Sequence, residues 1–374
     1  MSEKHLHIIS FNIPYPPDYG GVIDVYYKIR ALYNLNVKIH LHCFEYGRMD
    51  TGPLKQLCHT IYLYKRKTGW KSALSYNPYI VRSRQSEELI QNLLKDNYPI
   101  LFEGLHSCIY LDDKRLKTRK KIYRESNIEH RYYFNLFKIE PGLFRKMYFL
   151  SEAVKLYFYQ KILKHADKML VVSEDDTNYL KSKFKADKVF YLPSFHSNDD
   201  VNILPGRGSY VLYHGNLSVP ENHYACAYLI KNVFAGTDIP FIIAGRNPSS
   251  KLVDLVSGKD NIKLIPNPEE ENMNELITNA HVHLLFTFQS TGLKLKLINS
   301  LYRGRFHVVN SNMLAGTGLE DQCMVAEDPE TVIRILKEFF SKDFTEEMIE
   351  FRKRKLMKHY NNSLNAEKLV SIIF

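Results

Sequence analysis

Short apolar segments alternate with helix-like stretches along this 374-residue chain, and this alternation limits the possible folds more than any other feature. The segments His5–Asn12, Val37–Phe44 and Ile100–Glu103 are short, apolar and β-branched, which is typical of buried strands. Between the first two, residues 21–33 place their apolar side chains on one helical stripe. Strands and helices that alternate in this way predict a doubly wound parallel sheet, and hence an α/β protein.

A segment rich in proline, glycine, asparagine and aspartate, Leu192–Gly208, interrupts this pattern and reads as a domain linker. A second series of strands follows it, at Tyr210–His214, Pro240–Ala244, Ile262–Ile265, Val282–Phe286 and His307–Val309. The chain ends in a charged helical stretch, Asp328–Phe374, in which Asp328 is the expected N-cap. Because the chain is also too long for one ordinary core, we predict two Rossmann-like domains, residues 1–200 and 201–355.

Composition restricts the class of protein further. Hydrophobic residues make up 45% of the chain and charged residues 25%, which is ordinary for a globular protein. The chain contains no run of eighteen apolar residues, and its first residues lack the long apolar core of a secretory signal. The spacing of the five cysteines resembles neither a metal site nor a disulfide framework. We therefore expect a cytoplasmic protein.

The net charge of +10 lies entirely in the first half of the chain. Residues 1–200 contain 32 lysines and arginines against 22 acidic residues, whereas the remainder contains 19 of each. Contact with an anionic membrane at its inner face is one interpretation, with Lys114–Lys121 and Tyr132–Leu163 as the candidate segments. Ordinary solvated charge with core aromatics is the other. Basic charge without a recognised nucleic-acid module does not indicate a nucleic-acid partner.

Loops that follow parallel strands are the natural places for ligands. In the first half, Asn12–Gly21 ends in Gly20 and Gly21, which would let main-chain NH groups at a helix start approach an anion. A plain turn closed by glycine is the alternative. His106 follows another buried strand, where a histidine is placed for acid–base or polar contact, although a structural role is equally compatible.

In the second half, a glycine turn at Gly215 and Asn216 and another at Arg246 and Asn247 follow two successive strands. An arginine in such a turn can bind a diphosphate with two parallel hydrogen bonds, unless it is simply a solvated surface residue. The most specific segment is Phe288–Leu301. It places Ser290, Thr291, Gly292 and Leu293 before a helix that carries Lys294 and Lys296. Free main-chain NH groups, the helix dipole and a lysine together suit a diphosphate. His281 and His283 read as strand residues rather than as a metal pair.

The ordered motifs NIPYPPDYGG, VVSEDD, YHGNLSVPEN, IAGRNP and STGLKLKLINSL resemble those of GT-B glycosyltransferases of the group-1 or family-4 type, which act on bacterial surface polysaccharides. The resemblance covers nearly the whole chain. It implies two Rossmann-like domains that face a cleft, with the acceptor in the first domain and a nucleotide sugar in the second. It also implies that a last helix, residues 356–374, packs back on the first domain, and that the activity is of the hexosyltransferase type.

The resemblance further implies roles for individual residues. His106, Arg246 and Lys294 would be catalytic. The donor set would be Gly20, Gly21, Gly215, Asn216, Arg246, Asn247, Ser290, Thr291, Gly292, Leu293, Lys296 and Asn299. The acceptor-side set would be Asp18, Glu103, Asn127, Glu129 and His130. The partners would be a nucleotide sugar and a glycan or lipid-linked acceptor.

The chain departs from this family at one point. Many relatives carry two glutamates eight residues apart, and here Thr291 and Asn299 take those places. Threonine and asparagine can still bind hydroxyl groups. The chain has no Asp-x-Asp motif, so we expect no metal cofactor, and the resemblance implies retention of configuration. Three alternatives remain: an inverting enzyme with Asp18 or His106 as base, an inactive nucleotide-binding scaffold, and a sugar-nucleotide epimerase.

Overall fold

The computed structural model describes residues 3–69, 72, 75–288, 292 and 294–374. The chain forms two compact units. The first contains the residues up to His196 and the segment Asn362–Phe374, and the second contains most of the stretch from Ser197 to Asn361. The division therefore falls four residues before the expected boundary at residue 200. The segment that returns to the first unit begins at Asn362 rather than at residue 356, because a helix that belongs to the second unit ends at His359.

A seven-stranded sheet forms the centre of the first unit, and every pair of neighbouring strands in it is parallel. The strands are β1 (Lys4–Ser10), β2 (Val37–Glu45), β3 (Thr60–Lys65), β4 (Ile100–Glu103), β5 (Lys121–Glu125), β6 (Lys168–Val171) and β7 (Val189–Tyr191). The helices are α1 (Gly20–Asn34), α2 (Leu54–Leu57), α3 (Tyr79–Arg82), α4 (Glu87–Leu93), α5 (Glu129–Ile139), α6 (Leu143–Tyr159) and α7 (Glu174–Lys183). Short 3₁₀ helices lie at Leu105–Tyr110, Lys114–Leu116, Gln160–His165 and Ala186–Lys188. The strand order is β3-β2-β1-β4-β5-β6-β7.

The second unit repeats this plan with six parallel strands. They are β8 (Val211–Asn216), β9 (Phe241–Arg246), β10 (Ile262–Pro266), β11 (Val282–Leu285), β12 (Phe306–Val309) and β13 (Met324–Val325), in the order β10-β9-β8-β11-β12-β13. Its helices are α8 (Pro220–Leu229), α9 (Ser250–Val256), α10 (Glu270–Asn279), α11 (Leu295–Arg303), α12 (Ser311–Leu314), α13 (Pro329–Phe340) and α14 (Glu346–His359). A π-helical turn at Ile230–Phe234 follows α8, and Glu320–Gln322 is 3₁₀. The last helix of the chain, α15 (Asn362–Ile373), belongs to the first unit.

The two strand orders confirm the predicted fold class, two Rossmann-like parallel sheets. In such sheets the order reverses at a switch point, and ligands bind beyond the carboxyl ends of the strands there. The switch point lies between β1 and β4 in the first unit and between β8 and β11 in the second. No helix in the described part of the chain combines the length and apolar character that crossing a membrane requires.

Helix ends follow the sequence signals closely. Asp328 caps α13 by accepting a hydrogen bond from the Thr331 main-chain NH at 2.8 Å, and Pro329 occupies the first turn. Ser173 caps α7 in the same way, ahead of three acidic residues. The helical stretch expected over residues 328–374 consists of three helices.

Four buried charged side chains connect α1 to the centre of the first sheet. The Lys28 Nζ donates to Asp24 at 3.0 Å and to both oxygens of Glu103 at 2.7 and 2.9 Å. The Arg124 guanidinium donates to Asp24 at 3.0 Å and to the main-chain oxygens of Leu192 and Pro193. Burial alone would raise the pKa of Asp24, but the charges of Arg124 and Lys28 hold it well below its usual range. The cluster therefore contains two carboxylates matched by two cations.

Removing one member should be costly, because the remaining charges would stay buried without compensation. We expect Asp24→Asn to lower the free energy of unfolding of the first unit by about 3–5 kcal/mol. Urea unfolding would measure this change. Arg115→Ala is the matched control, since Arg115 forms its ion pairs with Glu87 and Asp113 at the surface of the same unit. Equal stabilities for the two variants would contradict the structural role of the cluster.

Histidines stack on one face of the first sheet. The Nδ1 of His7 lies 2.8 Å from the Nε2 of His42, and the Nδ1 of His42 lies 2.8 Å from the Tyr64 hydroxyl. His40 stacks on His7, with ring centroids 4.8 Å apart. Burial lowers the pKa of His7 from 6.5 to about 4, although Asp96 opposes the shift. Burial also lowers the pKa of His40 and holds that of His42 well below its usual value.

The unfolded chain therefore binds protons below pH 6.5 that the folded chain does not bind until about pH 4. We expect the free energy of unfolding to fall as the pH falls through this window. His42→Asn should make this dependence weaker. His165→Gln should leave it unchanged, because His165 is exposed. Chemical unfolding at a series of pH values would measure both slopes, and identical slopes for the wild type and His42→Asn would contradict the interpretation.

Candidate functional site

The loop after β1 is held closely against the start of α1. The helix begins at Gly20, so both predicted glycines lie in its first turn. A Cβ atom at Gly21 would lie 2.7 Å from the Phe11 ring, which makes glycine necessary for this packing. Within the same loop, Asp18 forms an ion pair with Arg48. Gly21 therefore has a packing role here, and the contact of Gly20 and Gly21 with a donor diphosphate remains a prediction.

His106 lies just beyond β4, next to this loop. Its ring packs against Phe11, with centroids 5.3 Å apart, and its side chain is 19% exposed. The preceding turn depends on Gly104, which has a φ of 68°. A Cβ atom there would lie 3.1 Å from the His106 Nδ1. The fold therefore places a partly exposed imidazole beyond β4, at the switch point of the first sheet, and its catalytic role remains a prediction.

Glu129 is the nearest carboxyl group to this imidazole. Its Oε1 lies 3.8 Å from the His106 Nδ1, and its side chain is 4% exposed. Burial raises the pKa of Glu129 to about 8, although the charge of Arg84 opposes the shift. Burial, together with the charges of Arg84 and Arg66, holds the pKa of His106 well below its usual value. Both shifts favour the uncharged forms of the two side chains near neutral pH.

The other acceptor-side residues have structural partners. Glu103 is buried with Lys28, so a substrate contact would have to displace this ion pair. The main-chain NH of Asn127 donates to Glu125 at 3.0 Å. His130 lies 3.4 Å from the Tyr179 hydroxyl, and burial lowers the pKa of His130 to about 4. For these residues, contact with the acceptor remains a prediction.

The sequence analysis did not identify Glu125 as a separate candidate. Tyr123 donates its hydroxyl proton to the Glu125 Oε2 at 2.7 Å, and burial holds the pKa of this glutamate well above its usual range. Glu125 is the last residue of β5, and a polar residue at the end of a parallel strand would have indicated a candidate site residue. That strand was not predicted, because three of its five residues are charged although all five are buried.

In the second unit, the carboxyl ends of β8 and β9 lie side by side. Gly215 is paired with Gly245 in the ladder, and Asn216 with Arg246. A Cβ atom at Gly245 would lie 1.8 Å from the Gly215 carbonyl oxygen, so only glycine allows this approach. Arg246 is exposed at the strand end. Asn247 follows with a φ of 50°, and its main-chain NH donates to the Asn267 side chain at 2.8 Å.

Lys296 lies on α11, which follows β11, and its side chain reaches the carboxyl end of β8. Its Nζ donates to the Asn222 Oδ1 at 3.1 Å and to the Tyr213 hydroxyl at 3.3 Å. It also lies over the Tyr213 ring, 5.0 Å from the centroid. Burial lowers the pKa of Lys296 to about 8, although Glu221 opposes the shift. Lys296 is therefore held next to the carboxyl end of β8, where burial disfavours its charged form.

The remaining residues of the predicted donor segment divide into two groups. Ser290, Thr291 and Leu293 lie outside the described residues. Gly292 has a φ of 83°, a conformation that favours glycine, and Lys294 is the largely buried N-cap residue of α11. The Asn299 Oδ1 accepts a hydrogen bond from Asn198 at 2.9 Å, so its side chain already has a partner within the unit.

Three polar residues at this edge were not singled out from the sequence. The Thr287 hydroxyl donates to the Glu221 carboxylate, which connects the end of β11 to the start of α8. His214 is buried at the end of β8, and burial lowers its pKa to about 3. The signal for Glu221 and His214 was their place in the YHGNLSVPEN motif, on either side of the glycine turn.

Comparison with known proteins supports the fold. No family model matches the chain. A Klebsiella pneumoniae protein described as an uncharacterized 44.6 kDa protein in the cps region is 25% identical over 348 residues, which is 86% of this chain and 87% of that protein. Among solved structures, Anabaena HepE in complex with UDP and glucose superposes with a TM-score of 0.66 and 9% identity, and the match covers 99% of each chain.

Two further solved structures agree. A glycosyltransferase from Rickettsia africae superposes with a TM-score of 0.67 at 14% identity, over 100% of this chain and 98% of that one. WaaG, a glycosyltransferase involved in lipopolysaccharide biosynthesis, superposes at 0.63 and 10% identity, over 98% and 99%. The fold of this chain is therefore that of the GT-B glycosyltransferases, two Rossmann-like parallel-sheet domains. The fold that the sequence motifs implied is confirmed.

Proposed function

We propose that the protein is a glycosyltransferase that moves a sugar from a nucleotide-diphosphate sugar to a glycan or lipid-linked glycan acceptor in surface polysaccharide biosynthesis. The observation that carries the proposal is the carboxyl edge of the second sheet. There Asn216 and Arg246 are ladder partners, and Lys296 reaches the Asn222 side chain beside them. The proposal is also supported by HepE, a relative in fold whose structure contains UDP and glucose.

Glycosyl transfer breaks the bond between the sugar anomeric carbon and the diphosphate oxygen, which keeps the electron pair. The acceptor hydroxyl oxygen forms the new bond to that carbon and loses its proton. The developing negative charge on the diphosphate requires stabilisation, and fixed positive groups can supply it. We assign this role to the Arg246 guanidinium, which can bind two phosphate oxygens at once, and to a lysine of α11. The proposal includes retention of configuration and no metal cofactor.

Two lysines compete for the second role. Lys296 lies beside the β8 turn, and a nearby diphosphate would favour its charged form. Lys294 is the N-cap residue of α11 and adjoins residues that the structure leaves undescribed. We therefore assign the diphosphate contact to Lys296 and retain Lys294 as a candidate for contact with the transferred sugar.

Arg246→Ala should lower the transfer rate by about two orders of magnitude or more, because a preorganised charge on the leaving group is lost. A thermal-shift screen with UDP, GDP, ADP and CMP would first identify the nucleotide. Transfer from the corresponding sugar nucleotides would then be measured, with and without EDTA. Arg334→Ala is the control, since Arg334 is exposed on α13 of the same unit. An unchanged rate for Arg246→Ala would remove this arginine from the site.

The same assays separate the alternatives. An epimerase would convert the sugar nucleotide without an acceptor, and an inactive scaffold would bind the nucleotide without turnover. Loss of transfer in EDTA that added Mg²⁺ restores would replace the metal-independent mechanism by one in which a cation stabilises the diphosphate.

We also propose that the first unit contacts an anionic membrane through the hairpin of α5 and α6. Leu143 is 75% exposed and Phe144 is 89% exposed at the start of α6, and Arg145 and Lys138 are exposed beside them. The run Lys114–Lys121 is a weaker candidate than the sequence suggested. Its Arg119 and Lys121 are buried and donate to main-chain oxygens.

Substitution of both tip residues, Leu143→Ser with Phe144→Ser, should abolish most binding to vesicles that contain anionic lipid, because the apolar anchor is lost. Sedimentation with vesicles of phosphatidylglycerol and phosphatidylcholine would measure binding at low and high salt. The control is Tyr76→Ser, which removes a side chain that is 92% exposed outside the hairpin. The proposal would be contradicted if the bound fraction changed neither with salt nor with the double substitution.

A further inference from the structure

Basic and aromatic side chains gather where β2 and β3 end in the first unit. Residues 46–84 contain eight lysines and arginines, and Asp50 is their only acidic residue. The cluster of interest, here called the arginine–tyrosine cluster, consists of Tyr46, Arg66, Tyr79 and Arg84. None of these residues was singled out by the motifs of the chain. Together they place several positive charges at this end of the sheet. The Glu152 carboxylate accepts the Tyr79 main-chain NH at 2.7 Å and is paired with Lys155 at 2.9 Å.

Arg66 is held in place mainly by aromatic rings. Its guanidinium carbon lies 4.3 Å from the Tyr46 ring centroid and 5.4 Å from that of Tyr79. Its Nε donates to the Ser83 hydroxyl at 3.0 Å. Within the described ranges, no carboxylate forms an ion pair with it. Stacking fixes the plane of a guanidinium, so its terminal NH groups are oriented before any ligand arrives.

Arg84 is 4% exposed, and its described partners are main-chain oxygens. Its Nε donates to the Phe11 oxygen at 2.8 Å and its Nη1 to the Ile80 oxygen. Burial, together with the charge of Arg66, lowers the pKa of Arg84 to about 9. The hydrogen bonds of this buried cation go to neutral oxygens, and the charge of Glu129 opposes the lowering of its pKa only in part. A ligand anion would therefore stabilise it further.

The cluster is electrostatically connected to the candidate catalytic histidine. Arg84 and Arg66 are the two charges that add to burial in lowering the pKa of His106. The His106 Nδ1 is buried and has no hydrogen-bond partner among the described residues. Burial raises the pKa of Glu129 to about 8, which favours its neutral form near neutral pH. Asp18 is paired with Arg48, and Glu152, which accepts the Tyr79 main-chain NH, is paired with Lys155.

We infer that the arginine–tyrosine cluster is a subsite for an acidic group on the acceptor, a sugar carboxylate or a phosphate, bound by Arg66 and Arg84 close to His106. The identification of this ligand as the acceptor rests on the proposed function. An arginine offers two parallel hydrogen bonds to either anion. The Tyr46 side chain is 55% exposed and adds an aromatic surface beside the anion. A neutral glycan would leave both guanidinium groups without a counter-charge.

The test uses three small probes and the full-length protein. Methyl glucuronide carries a carboxylate, glucose 1-phosphate carries a phosphate, and methyl glucoside is neutral. Saturation-transfer NMR titrations at constant ionic strength would give their dissociation constants. We expect at least one anionic probe to bind about tenfold or more tightly than methyl glucoside, and Arg66→Gln to remove that advantage.

Arg82→Gln is the matched control, because Arg82 belongs to the same basic segment and donates to Gln85 at the surface. It should bind the probes as the wild type does, which excludes a general effect of net charge. Arg66→Lys provides a second variant that keeps the charge but loses the paired hydrogen bonds, and it should bind the anions less tightly than the wild type. Thermal unfolding of each variant would show that the fold is retained.

The outcomes are distinct. Binding of only the glucuronide would specify a carboxylate, and binding of only glucose 1-phosphate would specify a phosphate. If no anionic probe bound better than methyl glucoside, or if Arg66→Gln and Arg82→Gln behaved alike, the inference would be overturned. Nucleotide binding is measured separately on the same proteins. If the protein bound the anions but no nucleotide, the subsite would be supported and the proposed function contradicted. If it bound a nucleotide but no anion, the proposed function would be supported and the subsite contradicted.

Discussion

The buried network of Asp24, Lys28, Glu103 and Arg124 is the constraint on which the first unit depends. It joins α1 to β4 and β5, and Asp24 also accepts the main-chain NH of Phe195 at 2.8 Å. Four charges that compensate one another in a dry core allow few other arrangements, because any shift would leave one of them alone. The network therefore fixes the helix that follows the β1 loop and the strand that precedes His106.

The same network explains what the sequence could and could not predict. Strands with continuous apolar runs, such as β1 and β4, were located within two residues of their bounds. The strand β5 was missed because its sequence, KIYRE, looks solvated, although Arg124 is fully buried. The burial of Arg124 could be inferred only from its partners, and these lie 68 to 100 residues away along the chain. The three-residue β7 is too short to show a period.

Some residues of the candidate sites could likewise be identified from the sequence, whereas others required the fold. The sequence indicated the glycines near the ends of β8 and β9, although it placed them in turns rather than in the strands. The physical reason for glycine at 245 is that a Cβ atom there would overlap the Gly215 carbonyl oxygen. Glu129 and His106 were each identified, but their 3.8 Å separation required the fold. Arg66 was not identified at all. Its position between two tyrosines depends on Tyr79, which lies thirteen residues further along the chain, at the start of α3.

The two units share one topology and differ in how they manage charge. In the second, the cations at the carboxyl edge are accompanied by the Glu221 carboxylate, and Lys296 has a lowered pKa that an arriving anion can restore. In the first, Arg84 is buried and donates to main-chain oxygens, and burial raises the pKa of the neighbouring Glu129 to about 8. A cation without a counter-ion destabilises the empty site, and an anionic ligand relieves that destabilisation when it binds. Part of the binding free energy of an anionic ligand would therefore come from relieving the cost of the buried Arg84 charge. A neutral glycan would not relieve that cost.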